Sequence, residues 1–179
     1  MKAVIICLLF MTIISCRKKK NIPFTDKELE FVSYTPDQKQ IKFIDSTGAI
    51  STLFQTYYDR SFRVVSGLFN TSDYYESYEV SYTSRDTTGQ IRNGQLIISL
   101  NGFSSYTPAN LDLYFYDYSG AFKPDSLYKD TRTFSINNKN YTDVYKLKMR
   151  NDSTIVYYNK QYGLIQMVYK NGKTVTRTE

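Results

Sequence analysis

Residues 74–82 read YYESYEVSY, a stretch in which apolar and polar side chains alternate, and this alternation limits the fold more than any other feature of the chain. In an extended strand successive side chains point to opposite faces. Tyr74, Tyr78 and Tyr82 therefore share one face, while Ser77 and Glu79 lie on the other. The same period of two recurs from residue 21 onward without a comparable helical stripe. The sequence therefore predicts an all-β fold.

Turn residues divide the chain into short strands. The strongest turn signal is Asn171-Gly172, which favours a type I′ hairpin with positive φ at both central residues. Residues 45–48 and 137–140 are also typical of reversals. Short strands joined by short turns predict a single antiparallel β-domain over residues 24–179, built as a sandwich, a barrel or a half-open curved sheet. Besides 74–82, the predicted strands are 29–34, 40–44, 51–58, 62–66, 94–100, 111–118, 131–136, 141–149, 154–158, 164–169 and 174–177.

The positive charge of this chain lies at its beginning. The 179 residues carry a net charge of +6, and of the 23 basic residues, Lys2 and the run from Arg17 to Lys20 all precede residue 21. The remainder has 18 basic residues against 17 acidic ones. Because binding to nucleic acid requires a basic face that neutralises phosphates, no nucleic-acid partner is expected.

The absence of histidine removes much of the usual catalytic chemistry. A Ser-His-Asp triad, an imidazole base and a histidine metal site are all excluded, and no calcium-binding loop pattern is present. We therefore expect no catalytic residues, no metal and no cofactor. Paired carboxylates, such as Asp112 with Asp117 or Asp125 with Asp130, leave glycan hydrolysis as an alternative.

The first 20 residues have the parts of an export signal: Lys2, an apolar run over residues 3–14, and the small residue Ser15. A signal anchor is the alternative, because more positive charge follows the apolar run than precedes it. The run is nevertheless shorter than the roughly 20 residues that span a bilayer. The order Ile-Ile-Ser-Cys at residues 13–16 resembles the lipobox of bacterial lipoproteins.

This resemblance implies that Cys16 is lipidated, that residues 1–15 are removed and that residues 16–23 form a basic tether. In that family an aspartate after the cysteine often retains a protein in the inner membrane. Arg17 occupies this position here, so the resemblance implies an outer-membrane lipoprotein. Some relatives are directed to the cell surface by an acidic cluster in the tether, and the basic tether here favours the periplasmic side instead. Several acyl chains anchor a protein stably, and basic residues beside anionic lipids add about 1 kcal/mol each.

A second resemblance covers the C-terminal part. The stretches YTDVY at 141–145 and IVYYNKQYGLIQMVYKNGK at 155–173 resemble the closing hairpins of many bacterial lipoproteins that share no common function. This likeness implies an antiparallel sheet in the cell envelope and no particular activity. More distantly, the same ending resembles periplasmic carriers that hold lipids or lipoproteins in a half-open barrel.

High tyrosine content is the feature that bears most directly on function. In NLDLYFYDYSG, Tyr114, Tyr116 and Tyr118 would form a row on one strand face that can stack on sugar rings. Tyr74, Tyr78 and Tyr82 are candidates for the same role. Alternatively, these tyrosines cover a second core layer or form cross-strand pairs.

Three functions follow, and each predicts a different site. A non-catalytic binding or scaffolding module for an envelope glycan or protein, which is our main expectation, requires exposed aromatic side chains. A hydrolase requires carboxylates that converge in a cleft. A carrier of an apolar ligand requires an unfilled cavity lined by residues such as Leu96, Ile98, Leu111, Leu113 and Phe115.

Overall fold

The computed structural model describes residues 19–64, 73–85, 91–102, 109–115, 118–123, 127, 129–148 and 153–178. Over these residues the chain is almost entirely β, and it contains one short helix, α1. The elements are β1 Asn21–Ile22, α1 Asp26–Leu29, β2 Gln40–Asp45, β3 Ile50–Val64, β4 Tyr74–Arg85, β5 Ile91–Asn101, β6 Asn110–Phe115, β7 Tyr118–Phe122, β8 Lys129–Asp130, β9 Phe134–Ile136, β10 Lys139–Tyr141, β11 Val144–Lys148, β12 Ile155–Asn159, β13 Gly163–Val168 and β14 Thr174–Thr178.

One antiparallel sheet contains most of these strands. Its order is β7-β6-β5-β4-β3-β2-β14-β13-β12-β11-β8, so the C-terminal strand β14 pairs with the early strand β2. Strand β1 adds to β4 in parallel, and β9 and β10 form a separate hairpin. The sheet curls into a half-barrel. The predicted all-β class is confirmed, and of the three predicted architectures the half-open curved sheet is the one observed.

The predicted strand over residues 29–34 is wrong. Thr25 caps helix α1, since its hydroxyl accepts a hydrogen bond from the backbone N–H of Glu28 and the Glu28 carboxylate accepts one from the backbone N–H of Thr25. This reciprocal pattern is a capping box, which favours a helical turn over an extended start. The chain that follows is irregular as far as Gln40, and it crosses the concave face of the sheet.

The hairpin at Asn171-Gly172 is present, but its turn type differs from the prediction. Gly172 alone has a positive φ in this loop, at 81°, and its N–H donates to the Tyr169 carbonyl at 2.9 Å. The type I′ conformation occurs instead between β9 and β10, where Asn137 and Asn138 have φ of 49° and 61°. The two-residue loop requires positive φ at both positions, whereas the longer loop before β14 requires it at one.

Buried tyrosines satisfy the backbone of the irregular segment on the concave face. The Tyr158 hydroxyl donates to the Phe31 carbonyl at 2.7 Å, and the Tyr82 hydroxyl donates to the Gln38 carbonyl at 2.9 Å. Buried carbonyls outside regular secondary structure need such partners. Part of the tyrosine content therefore serves the core.

Residues 24–39, which we call the N-terminal segment, are also fixed at their start by two buried carboxylates. Glu28 accepts the backbone N–H of Ala109 at 2.6 Å. Glu76 accepts the backbone N–H of Phe24 at 2.8 Å and the Arg60 guanidinium at 2.7 Å. Each carboxylate has a donor from a distant part of the chain, as a buried charge requires.

Candidate functional site

The predicted tyrosine row on β4 is a core feature. Tyr78 and Tyr82 are 0% exposed, and only Tyr74, at the start of the strand, is half-buried. Burial raises the pKa of the Tyr78 and Tyr82 hydroxyls well above the ordinary value, so both are neutral donors. The face that carries them is the concave face, which packs against the N-terminal segment. The prediction that these two residues contact a ligand at the surface is therefore wrong.

The predicted row on residues 111–118 does not form on one strand. Strand β6 ends at Phe115 and the chain reverses, so that Tyr118 of β7 pairs with Phe115. Tyr114 is 48% exposed on β6. Tyr116 and the side chain of Tyr118 lie outside the described residues, and their role as ligand contacts stays a prediction.

The residues proposed to line a carrier cavity fill the interior instead. All five are 0% exposed and belong to one continuous core cluster, and neither hollow described below is lined by any of them. This packing counts against a lipid carrier that uses these positions. The five residues are Leu96, Ile98, Leu111, Leu113 and Phe115.

The carboxylate pairs proposed for hydrolysis are not assembled in the described residues. Burial raises the pKa of Asp112, but Asp117 and Asp125 lie outside the described part of the chain. Hydrogen bonds from Arg132 lower the pKa of Asp130 to about 2, which suits an ion pair and not a general acid. Within the described ranges no group of three acidic or cysteine side chains is placed to hold a metal ion.

A groove of about 480 Å³ lies beside the β9–β10 hairpin. The hairpin, the turn between β12 and β13, and the end of β14 form its walls. We call it the hairpin groove. Its lining residues are Ile136, Asn137, Lys139, Tyr141, Tyr162, Arg177 and Thr178.

A small second core positions the hairpin. Ile136 and Tyr141, from the two hairpin strands, pack with Val144 of β11 and Ile165 of β13. The tight Asn137-Asn138 turn brings Lys139 back opposite Ile136. Because side chains alternate along β10, Lys139 and Tyr141 then project to the same side.

One wall of the hairpin groove combines a cation with two aromatic rings. The Lys139 ammonium lies 4.3 Å from the centroid of the Tyr162 ring and 5.8 Å from that of Tyr141. The two rings meet edge to face, with centroids 5.3 Å apart and an interplanar angle of 89°. The hairpin groove therefore has a positive charge held beside apolar ring surfaces.

Arg177 adds a second cation at the other wall. Its guanidinium carbon lies 5.6 Å from the centroid of the Tyr34 ring, and its buried Nη1 has no hydrogen-bond partner. In the described part of the chain no carboxylate forms an ion pair with Arg177. A partly buried cation without a counter-ion favours an anion in the adjoining space.

The turn between β12 and β13 holds Tyr162 in place. The Asn159 side-chain oxygen accepts the backbone N–H groups of Gln161 at 2.7 Å and Tyr162 at 3.2 Å. Gly163 has a φ of 69°, and the next backbone N–H, that of Leu164, donates to the Tyr34 hydroxyl at 2.9 Å. The NKQYG stretch thus forms an Asx turn that ends in a left-handed glycine.

Sequence reasoning missed Tyr141, Tyr162 and Arg177 as site residues. One available signal was the spacing of Lys139 and Tyr141 next to a turn-forming asparagine pair. Another was Arg177, which shares a strand face with the apolar Val175 and therefore places a charge on the core side.

A second hollow, of about 200 Å³, is lined by Phe43, Asp45, Ser51, Tyr169 and Val175. Small-molecule sites usually measure about 300 to 1,000 Å³, so the volume of this hollow falls below the range and that of the hairpin groove lies within it.

No family model, no curated protein and no solved structure matches this chain. In the described part of the chain no helix has the length and apolar character that crossing a membrane requires.

Proposed function

We propose that this protein is an outer-membrane lipoprotein, held by lipid on Cys16 and facing the periplasm, whose β-domain is a non-catalytic binding module. Its ligand is an acidic, ring-containing glycan of the cell envelope, and the hairpin groove is the binding site. The proposal joins the lipobox-like sequence at residues 13–16 to the chemistry of the hairpin groove.

One observation carries the ligand class: Lys139 and Arg177 face the same groove as the paired rings of Tyr141 and Tyr162. Cations at two walls favour a carboxylate or phosphate, since charge-assisted hydrogen bonds are about twice as strong as neutral ones. The flat apolar faces and polar tips of tyrosines suit sugar rings.

The binding proposal is tested with glucuronic-acid oligosaccharides and neutral glucose oligosaccharides of equal length, measured by calorimetry. We expect Lys139→Gln to weaken binding of the acidic series by roughly 10- to 100-fold, the equivalent of one lost hydrogen bond to a charged group, about 1.5 to 3 kcal/mol. The matched control is Lys146→Gln, because Lys146 also lies over a tyrosine ring, that of Tyr157 at 6.0 Å, but does not line the hairpin groove.

Equal affinity for acidic and neutral oligosaccharides would contradict the ligand class, and equal loss in the two lysine variants would contradict the site. Binding should also weaken as salt concentration rises, since the contacts at the mouth of the hairpin groove are exposed to solvent.

The anchor is tested separately by Cys16→Ser. The lipidated protein should be found in the membrane fraction and incorporate labelled fatty acid, and the variant should lose the label because the acceptor thiol is absent. A variant that stays labelled would contradict lipidation at Cys16.

A further inference from the structure

The described chain begins at one end of the β3–β4 hairpin. Strand β1 runs parallel to β4, with Asn21 opposite Tyr74, so the residues before Asn21 lie at the end where β4 starts. Strand β3 finishes at the same end, where Val64 pairs with Tyr74. The tether therefore leaves the domain at the end where β3 finishes, with the first residues of β4 between it and β3.

Contacts of the tether hold it at this end. The Lys20 carbonyl accepts the Tyr74 N–H at 2.8 Å, and the Lys20 N–H donates to the Asp73 carboxylate at 3.0 Å. The Lys19 ammonium lies 5.6 Å from the Tyr74 ring centroid. Cys16 is three residues before Lys19, so at about 3.3 to 3.6 Å per residue the proposed lipid on Cys16 would be attached no more than roughly 11 Å from this point.

The same end of the sheet exposes apolar side chains. Phe62 is 41% exposed and Val64 is 46% exposed, and both lie on the strand face that continues from Tyr58, which packs against the core. Together with Lys19, Lys20 and Tyr74 they form what we call the anchor-side patch. Exposed apolar residues beside cations are typical of surfaces that lie in a membrane interface.

Charge at the anchor-side patch also favours a lipid surface. The nearby carboxylates of Asp59 and Glu76 are paired with Arg63 and Arg60. Neither Lys19 nor Lys20 forms an ion pair with a carboxylate of the described chain. The Asp73 carboxylate also lies here, where it accepts the backbone N–H of Lys20 at 3.0 Å. The two exposed lysines outnumber it and complement anionic headgroups, which form a layer roughly 5 to 7 Å thick.

We infer that the anchor-side patch lies against the membrane, with Phe62 and Val64 at the boundary between headgroups and acyl chains and the two lysines at anionic lipid headgroups. The inference rests on the proposed lipid anchor and adds an orientation to it. This end of the β3–β4 hairpin then faces the membrane, and the tether is held against the domain by its contacts instead of being a flexible linker.

The chain has no tryptophan, so each single tryptophan substitution creates a unique fluorescent reporter. The test uses lipidated protein in vesicles of phosphatidylethanolamine and phosphatidylglycerol, with and without brominated acyl chains that quench tryptophan on contact. Phe62→Trp reports on the anchor-side patch, and Val64→Trp replaces it if the first variant does not fold. Phe54→Trp is the matched control, because Phe54 is also exposed and lies on the same strand, about 26 Å away at about 3.3 Å per residue.

We expect the emission of Phe62→Trp to shift to shorter wavelength in vesicles and to lose most of its intensity with brominated lipid, while Phe54→Trp changes in neither respect. If the protein is lipidated and bound to vesicles but the two reporters behave alike, the orientation is wrong and the anchor stands. If mass spectrometry finds no lipid on Cys16, the anchor fails and the orientation falls with it.

Discussion

The hydroxyl of Tyr158 shows how single residues make this core possible. It is fully buried and donates at 2.7 Å to the Phe31 carbonyl, a backbone group that no strand ladder satisfies. Burial raises the Tyr158 pKa well above its ordinary value, so the hydroxyl remains a donor at every physiological pH. A phenylalanine in its place would fill the same space and provide no donor.

We therefore expect Tyr158→Phe to lower the free energy of unfolding by about 1 to 3 kcal/mol, the usual cost of an unsatisfied buried polar group. Tyr141→Phe is the control, since no hydrogen bond of its hydroxyl occurs in the described structure and its ring also packs in a core cluster. Urea denaturation of both variants measures the difference. Equal stability of the two would show that the hydroxyl contact contributes nothing.

Glu30 is a titratable residue that should make stability depend on pH. Burial acts to raise its pKa, but hydrogen bonds from Tyr145 at 2.8 Å and Lys129 at 3.0 Å lower it overall from the ordinary 4.5. A carboxyl whose pKa is lower in the folded state stabilises the fold above its unfolded pKa. This contribution disappears as the pH falls through the folded pKa.

Glu30→Gln should therefore destabilise the protein at pH 7, and its difference from the parent should shrink as the pH falls below about 4.5. Denaturation midpoints measured from pH 7 to pH 3 follow this change. Asp37→Asn, at an exposed position of the same segment, is the control and should differ little from the parent at any pH. A gap for Glu30→Gln that stays constant with pH would contradict the argument.

At the scale of elements, the turn between β12 and β13 depends on a glycine for both its backbone conformation and its packing. A Cβ on Gly163 would overlap with the Tyr34 ring, and the φ of 69° is unfavourable for other residues. Gly48 has a φ of 88° but open space around it. The two positions share a left-handed backbone conformation and differ in packing.

Gly48→Ala should lower the free energy of unfolding by about 1 to 2 kcal/mol, from the left-handed backbone alone. Gly163→Ala should show the same backbone effect and lose about 1 to 3 kcal/mol more through overpacking, because Tyr34 must move. It should also weaken ligand binding in the hairpin groove, since Tyr162 immediately precedes Gly163. Thermal denaturation of the two variants shows which loses more stability. Equal losses would mean that the Tyr34 ring moves aside without a free-energy cost.

The predicted bounds of β2, β4, β5 and β13 lie within about three residues of the observed ones. Buried and exposed side chains alternate clearly in β2, as a two-sided sheet requires, whereas most positions of β13 are buried. Alternation failed at residues 29–34, where Phe31 and Tyr34 are buried by an irregular segment that has no fixed period. The hairpin groove could not be predicted from the sequence for another reason. It joins residues 136–141, 162 and 177, which only the tertiary fold brings together.

For the whole molecule, the N-terminal segment connects the two halves of the sheet. Phe31 contacts the rings of Tyr145 and Tyr158 on β11 and β12, with centroids 4.7 Å and 5.5 Å apart. On the other side, the Tyr34 carbonyl accepts the hydroxyl of Tyr78 on β4 at 3.3 Å. A half-barrel leaves its concave face open, and this segment covers it. The two halves should therefore unfold together.

Phe31→Ala tests this coupling. The substitution should cost about 3 to 5 kcal/mol, a large share of the 5 to 15 kcal/mol typical of a domain. Hydrogen exchange followed by mass spectrometry should show faster exchange in both β5–β6 and β12–β13, although within the described residues the ring contacts of Phe31 are with β11 and β12. Phe54→Ala, at an exposed position of β3, should leave both regions protected. Loss of protection confined to β11–β13 would mean that the halves are separate cooperative units, and that the N-terminal segment covers the sheet without joining it.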